Sequence, residues 1–376
     1  MFDIIFLLPF IASMGLFSFY TSKSVRSLMN EYRLYPERKK RDIHDELVPS
    51  SIGVGFLIVF ISGTIFYQNE FLNVIDYSAL IISAAGITVL GYLDDLNALS
   101  SKRKLFFQIV CICLFLYFNQ HLIVHNLHFF LGLTEISFTV SIIFTVFIGI
   151  IMINGLNLID GIDGFAAIIS MVCSSLFSLI FWGIGSAIPF VLSLLIVAIL
   201  AGYLPVNISK TKKGFMGDSG SMFLGYIFFI FTLILLKSDF TFIYNIVKTE
   251  SVIPLAALSI YIIPILDTLS IYYYRFSIGK KPLSADNFHI HHMMLHFINP
   301  SAVIVSLISG VFVVVFCSVM SIVTYLYSGA IAIGLYFTLL LFLVLFVLHY
   351  KSKMRLNLGN TNGNVENIDK ERRPML

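Results

Sequence analysis

Hydrophobic residues fill this chain in long blocks separated by short polar stretches. A run of about 20 apolar residues can cross the hydrocarbon layer of a bilayer as a helix. The sequence offers eleven such runs: 2–21, 49–67, 77–93, 105–120, 136–153, 165–182, 187–203, 220–236, 252–274, 302–327 and 329–349. Those at 77–93, 105–120 and 187–203 are short for a crossing, so their ends are the least defined. The pattern predicts an all-α polytopic membrane protein of about 11 transmembrane helices. The first run lacks a basic lead segment and is followed by ten more, so it reads as a retained span and not as a signal peptide. A single integral-membrane domain over 1–350 is expected. It is followed by a polar, Asn-rich tail over 351–376 without apolar periodicity, expected to be disordered.

Charge gives an independent check on the spans and sets their orientation. With the N-terminus outside and the C-terminus cytoplasmic, the inside segments are 22–48, 94–104, 154–164, 204–219, 275–301 and 350–376. They hold all of the 24 Lys and Arg residues except Lys237 and Lys248. That asymmetry is the positive-inside rule. An error of one span would scramble it, whereas loss of a pair would not. The net charge of +3 is then a consequence of orientation and points to no nucleic-acid partner. A content of 58% hydrophobic and 12% charged residues fits the same class. The four cysteines, Cys111, Cys113, Cys173 and Cys317, all fall within predicted spans and show no metal-ligand spacing with His.

The polar residues that interrupt this pattern carry the candidate chemistry. In Met152-Ile-Asn-Gly-Leu-Asn-Leu-Ile-Asp-Gly-Ile-Asp-Gly164, Asn154, Asn157, Asp160 and Asp163 recur every third residue between two apolar runs. An Asp at the centre of a spanning helix costs roughly 2.5–3.5 kcal/mol. The cluster therefore belongs at a membrane edge or performs work. Steps of three would wind the four side chains around a straight helix. Gly155, Gly161 and Gly164 favour a helix end and a turn on which amide oxygens and carboxylates converge.

Other inside segments add groups of the same kind. Asp94-Asp95 lies at the mouth of one predicted span, and Lys102-Arg103-Lys104 with Gln108 opens the next. Paired acids at a helix end are often only solvated. Beside a basic cluster they suit phosphates held with Mg²⁺, a hard ion that takes carboxylate and phosphate oxygens. Gly217-Asp218-Ser219-Gly220-Ser221 runs into a helix, giving free N–H groups and a carboxylate where phosphate could bind. A simple helix cap would explain one of its polar residues and not the flanking glycines. His289, His291, His292 and His296 crowd eight residues, but without a His-Glu-x-x-His pattern and near hard acidic groups they suit hydrogen bonding to phosphate better than zinc. Asp267 lies one to two turns inside the ninth predicted span and reads as a buried supporting carboxylate. Arg41 and His44, in the basic segment before the second span, fit either topology and headgroup contact or an anionic ligand.

All these clusters fall on the inside under a topology drawn from Lys and Arg alone, so they can share one cleft. The implied chemistry is phosphoryl transfer from a soluble Mg²⁺-bound diphosphate to an acceptor delivered by the bilayer.

The motifs, in order, resemble the polyprenyl-phosphate N-acetylhexosamine-1-phosphate transferases. They are Asp94-Asp95 with Lys104 and Gln108, Asn154-x-x-Asn157-x-x-Asp160-Gly-x-Asp163-Gly, Gly217-Asp218-Ser-Gly-Ser, Pro264-x-x-Asp267-Thr, and His289-Ile-His291-His292. The His-Ile-His-His form is closer to the GlcNAc-1-phosphate branch than to the translocase branch, which carries three consecutive His. The resemblance implies broken helices, Mg²⁺ dependence with Mn²⁺ as an alternative, a UDP-N-acetylhexosamine donor (GlcNAc first), undecaprenyl phosphate as acceptor, and UMP as product. It implies an active site on the cytoplasmic face of a bacterial plasma membrane, and leaves a homodimer open. Carried over by motif, Asp218 and Asn157 would hold the metal, while Asp94, Asp95 and Lys104 would act with Asp218 in catalysis. Asn154, Asp160, Asp163, His289, His291, His292, Arg41 and His44 would bind substrate.

Two departures bear on the sugar. Asp286-Asn287 stands where the family usually has Asp-Arg, and Pro49-Ser50-Ser51-Ile52-Gly53 where it commonly has Pro-Arg-x-Gly-Gly. Two rival classes fit less well. A transporter would place its polar breaks near the bilayer midplane. A CDP-alcohol phosphatidyltransferase needs an Ala-Arg after its first Asp-Gly, and Asp163-Gly164-Phe165-Ala166-Ala167 continues otherwise.

Overall fold

A computed structural model describes residues 4–32, 34–35, 48–65, 75–130, 133–238, 252–279, 289–327 and 329–371. Helices account for nearly all of it: α1 (Ile4–Glu31), α2 (Gly53–Thr64), α3 (Tyr77–Leu96), α4 (Ser101–Phe118), α5 (Phe138–Ile159), α6 (Phe165–Gly183) and α7 (Ala187–Asn207). They continue as α8 (Gly217–Lys237), α9 (Val252–Ile260), α10 (Ile262–Ser277), α11 (Ile290–Phe297), α12 (Ala302–Leu326) and α13 (Gly329–Glu371). Between α4 and α5, β1 (Asn126–Phe130) and β2 (Leu133–Glu135) form an antiparallel hairpin that pairs Asn126 with Glu135. The tail expected over 351–376 begins within α13.

Each predicted apolar run contains a helix among the described residues, but the expected count of eleven crossings is not supported. Among the described residues seven helices are long and apolar enough to cross a membrane: α3, α5, α6, α7, α8, α12 and the Gly329–Ser352 part of α13. An eighth arises if α9 and α10, bent by 74° at Tyr261, form one broken span. The other three runs fall short, two of them for visible reasons. The 12 residues of α2 reach only about 18 Å. The first turn of α4 is spent on Ser101-Lys102-Arg103-Lys104. α1, whose first charged residue is Lys23, is not among the helices that qualify within the described residues.

The bundle is built around α8, in which every residue from Ser219 to Leu236 is buried. α3 and α5 flank it along its length, and α2, α6, α7 and α9 close the ring. Lipid tails are as apolar as leucine, so close packing rather than escape from water holds such helices together. The fit comes from aromatic contacts, Phe223 on Phe60, Tyr226 on Phe115, and Phe228 and Phe231 on Phe177. It also needs small residues where backbones meet. A Cβ on Gly91 of α3 would lie 2.5 Å from the backbone of Asp218 and Ser219, so only glycine lets α3 approach the start of α8. By contrast α12 and α13 carry exposed apolar faces, with Val311, Ile322, Leu341 and Phe342 among them, as lipid contact requires.

This packing predicts that Gly91→Ala destabilises the protein by about 1–3 kcal/mol, the usual overpacking cost, and displaces the N-terminus of α8. Gly334→Ala on α13, where a Cβ meets nothing within 4 Å, should leave stability unchanged or slightly raised. Thermal midpoints of both variants in one detergent test the contrast; equal midpoints would mean the close approach is not tight.

Candidate active site

The site begins with the unsatisfied N–H groups of the first turn of α8. Gly217 adopts φ +69° to turn the chain into the helix. The preceding segment is pinned to the 49–53 segment: Phe215 N donates to Pro49 O (2.9 Å), Ile52 N to Phe215 O (3.1 Å) and Gly53 N to Met216 O (3.0 Å). The α3 end then supplies the missing acceptor. Asp95 Oδ1 accepts from Asp218 N at 2.8 Å, and Oδ2 accepts from Ser219 N at 3.3 Å and from Ser51 Oγ at 2.6 Å. A carboxylate against a helix N-terminus also gains from the macrodipole. Ser51, at φ +67°, is a partner that sequence pattern did not reveal.

Its neighbour Asp94 faces the other way. Asp94 Oδ1 accepts from Leu99 N at 2.6 Å, and Oδ2 pairs with Lys104 Nζ at 2.9 Å. Lys104 Nζ also pairs with Asp218 Oδ2 at 2.5 Å, so one ammonium bridges the end of α3 and the start of α8. Asp218 Oδ1 accepts from Asn157 Nδ2 at 2.8 Å, and the same amide donates to Ser221 Oγ at 2.9 Å. Asn154 and Gln108 pair through reciprocal amide bonds of 2.8 and 3.3 Å, which brace α5 against α4. Asp94, Lys104, Asn157 and Asp218 therefore converge on one point from four helices.

The turn after α5 forms a second side of the site. Gly164, at φ +77°, donates its N–H to Asn207 Oδ1 and starts α6. Asp163 pairs with Lys213 Nζ at 2.5 Å, a cation on the loop before α8. Burial pushes the Asp160 carboxyl up to about 8, and the charges of Asp218, Asp95 and Asp163 act in the same direction.

The histidines form the third side. Asp267, fully buried on α10, accepts from His289 Nδ1 and from Ile290 N, both at 2.7 Å, fixing the start of α11. The His291 ring stacks on His289 with centroids 5.6 Å apart and lies 4.4 Å from His292 and 5.4 Å from Phe165. A side chain at Gly161 would strike the His291 ring, so the Asp160–Gly164 turn and the histidines are directly apposed. Burial drives His291 down to about 3, and the charge of His292 adds to the effect. Arg41, His44, Asp286 and Asn287 lie outside the described residues.

The profile of glycosyl transferase family 4 matches residues 77–236, from α3 to α8. Over 258 residues, 68% of each chain, the sequence is 31% identical to a "Probable undecaprenyl-phosphate N-acetylglucosaminyl 1-phosphate transferase" of Bacillus subtilis (strain 168). It is 29% identical over 267 residues to "Undecaprenyl-phosphate alpha-N-acetylglucosaminyl 1-phosphate transferase" of Escherichia coli (strain K12), covering 69% of this chain and 68% of the relative. Identity is also 29% over 192 residues, 47% of this chain and 59% of the relative, to "Phospho-N-acetylmuramoyl-pentapeptide-transferase" of Staphylococcus carnosus.

The raised Asp160 carboxyl makes stability depend on pH. A group held at about 8 in the fold and near 4 in the unfolded chain adds stability that is full at the acid end and is lost as pH rises to about 8. In EDTA the thermal midpoint of the wild type should therefore fall from pH 6 to pH 9 more steeply than that of Asp160→Asn. Parallel curves would show that Asp160 titrates normally.

Proposed function

The chain belongs to glycosyl transferase family 4, and on that premise we propose that it transfers an N-acetylhexosamine 1-phosphate, GlcNAc-1-phosphate first, from its UDP-sugar to undecaprenyl phosphate. UMP is released and a lipid-linked diphosphate sugar remains. The observation that carries this reading is the single ammonium of Lys104 shared by Asp94 and Asp218, with Asn157 on the second oxygen of Asp218. Such a cluster is suited to bringing two phosphate groups together. The excess of Lys and Arg in the segments that carry these residues favours a cytoplasmic active site, with the N-terminus outside.

A divalent ion fits the residues present. Among the described residues no three His, Cys, Asp or Glu side chains converge as a complete cage. Mg²⁺ characteristically needs less, one or two carboxylates plus substrate phosphates. The Lys104 ammonium lies between Asp94 and Asp218, and this demand for positive charge supports the reading. Asp218 and Asn157 would hold the ion, which would neutralise the donor diphosphate and its leaving phosphate.

The chain's own residues then do the positioning and charge neutralisation that phosphoryl transfer requires. Asp94 orients the acceptor phosphate and takes its proton where one is present. An oxygen of that phosphate forms a bond to the sugar-bearing phosphorus, and the bond from this phosphorus to the bridging oxygen breaks, leaving UMP with the electron pair. Lys104 offsets the charge that gathers on the phosphates. Asp95 acts by fixing the start of α8, since both its oxygens are engaged there. Asp160 and Asp163 face the nucleotide, and the histidines contact the diphosphate or the sugar.

Purified protein in detergent should release UMP from UDP-GlcNAc only when both undecaprenyl phosphate and Mg²⁺ or Mn²⁺ are supplied. Asp218→Asn should lower the rate by at least about 10³-fold, as loss of a central electrostatic group does. Release without lipid would contradict the reaction, and activity only with another UDP-N-acetylhexosamine would move the donor.

Lys104 supplies a separate test, because its ammonium stands where the ion would bind. Lys104→Met should bind Mn²⁺ more tightly than wild type when no substrate is present, while turnover falls about 100-fold or more. Mn²⁺ affinity read by electron paramagnetic resonance that is unchanged or weaker would remove Lys104 from that position.

A further inference from the structure

Lys351, at the end of the apolar Gly329–Ser352 part of α13, is fully buried, and its ammonium donates to Ser270 Oγ on α10 at 2.8 Å. Lysine is almost never fully buried unless it is paired. Near a membrane rim its long stem would ordinarily carry the charge out to headgroups and water. Here it turns inward instead, onto the helix that carries Asp267.

The contacts form a chain from Lys351 to the histidines. Ser270 accepts from Lys351 and donates its own hydroxyl to the Asp267 carbonyl at 3.1 Å. Asp267 spends its carboxylate oxygens on His289 Nδ1 and Ile290 N, the entry to α11. Next along α11 is His291, buried, with both ring nitrogens lacking a hydrogen-bond partner among the described residues. α13 also packs directly on α11. The last helix thus reaches the histidine loop both by packing and through a buried charge.

We propose that Lys351 is a positioning residue of the histidine loop: through Ser270 and Asp267 it fixes the corner between α10 and α11, and so the places from which His289 and His291 meet the substrate. This rests on the reading above in which those histidines contact the donor. No motif in the catalytic blocks includes Lys351, and it touches no reacting atom.

The electrostatics support the geometry. Among the described residues the charges acting on His291 are His289 and His292 on its own segment, Asp267 on α10 and Lys351 on α13, and the turn that carries Gly161, with Asp160 and Asp163 on it, lies against the ring. Lys351 and the two histidines oppose a proton on His291, and Asp267 favours one. Removing the Lys351 charge makes His291 easier to protonate. The acid limb of the activity profile should therefore move to higher pH.

The test compares Lys351→Met, Lys351→Arg and Ser270→Ala with wild type in two assays. In turnover, Lys351→Met should raise the KM for the UDP-sugar about tenfold or more, the scale expected when binding groups are misplaced, with a smaller change in kcat and an acid limb shifted upward. Ser270→Ala should shift KM in the same direction by less, and Lys351→Arg should recover most of the loss. In hydrogen exchange without substrate, amides of 290–297 should open faster in Lys351→Met and return towards wild type in Lys351→Arg. Unchanged KM, pH profile and exchange in the Met and Ala variants would overturn the proposal. So would equal loss of thermal stability in the Met and Arg variants with KM unmoved, which would make Lys351 a packing residue. If Lys351→Met does not fold, Ser270→Ala decides. A wild type that turns over no UDP-sugar while exchange at 290–297 still answers to Lys351 would remove the substrate reading and leave the positioning role standing.

Discussion

The carboxylate of Asp95 on the first turn of α8 is the contact on which the other parts of the site depend. α8 is buried from Ser219 to Leu236 and half-buried at Gly217 and Asp218, and an unpaired buried donor costs about 1–3 kcal/mol. Asp95 satisfies two of them and takes the Ser51 hydroxyl as well, tying α3, α8 and the 49–53 segment into one corner. Asp218 is held there by its own backbone amide, so its side chain is aimed by a contact it does not make itself. Gly91, Gly53 and Gly217 are glycines because the backbones at this corner approach too closely, or turn too sharply, for a Cβ.

A second consequence is electrostatic. Securing α8 with one carboxylate while presenting another two residues into the helix places like charges side by side. Lys104, bonded to both Asp94 and Asp218, offsets part of that repulsion, and the Asn157 amide on Asp218 offsets more. Burial, with the neighbouring carboxylates acting in the same direction, pushes Asp160 up to about 8. The site is thus negative and only partly compensated when it stands alone, and a divalent ion with its phosphates would meet a site of matching need.

Much of this was legible in the sequence because the signal was chemical. Asp94, Asn157, Asp160, Asp218 and the histidines are polar residues where hydrocarbon demands apolar ones. Asp267 as a buried supporting carboxylate was legible for the same reason. Span counting succeeded less well. Hydropathy sees an apolar run around α2 but not that, among the described residues, its α-helix is 12 residues long, and it reads through the break at Tyr261 where α9 and α10 diverge. The division of labour within Asp94-Asp95 was not legible either, since adjacent identical side chains differ only in which helix each one faces. Ser51 and Lys351 were invisible for a related reason. A serine in a loop and a lysine at a span's inner end are ordinary in sequence, and their partners lie 44 and 81 residues away.

The same geometry constrains the order of events in the proposed reaction. Lys104 cannot at once neutralise Asp218 and grip a lipid phosphate, because its ammonium is already spent on two carboxylates. Were Asp218 engaged with a donor diphosphate and its counterion, the ammonium would be left to Asp94 and could meet an acceptor phosphate there. A phosphate arriving first would meet Asp94, Asp218 and Asp95 with a single lysine among them, and repulsion would hold it off. On the proposed reading, donor before lipid is therefore the sequence of binding that the charges favour, with Lys104 as the element that links the two events.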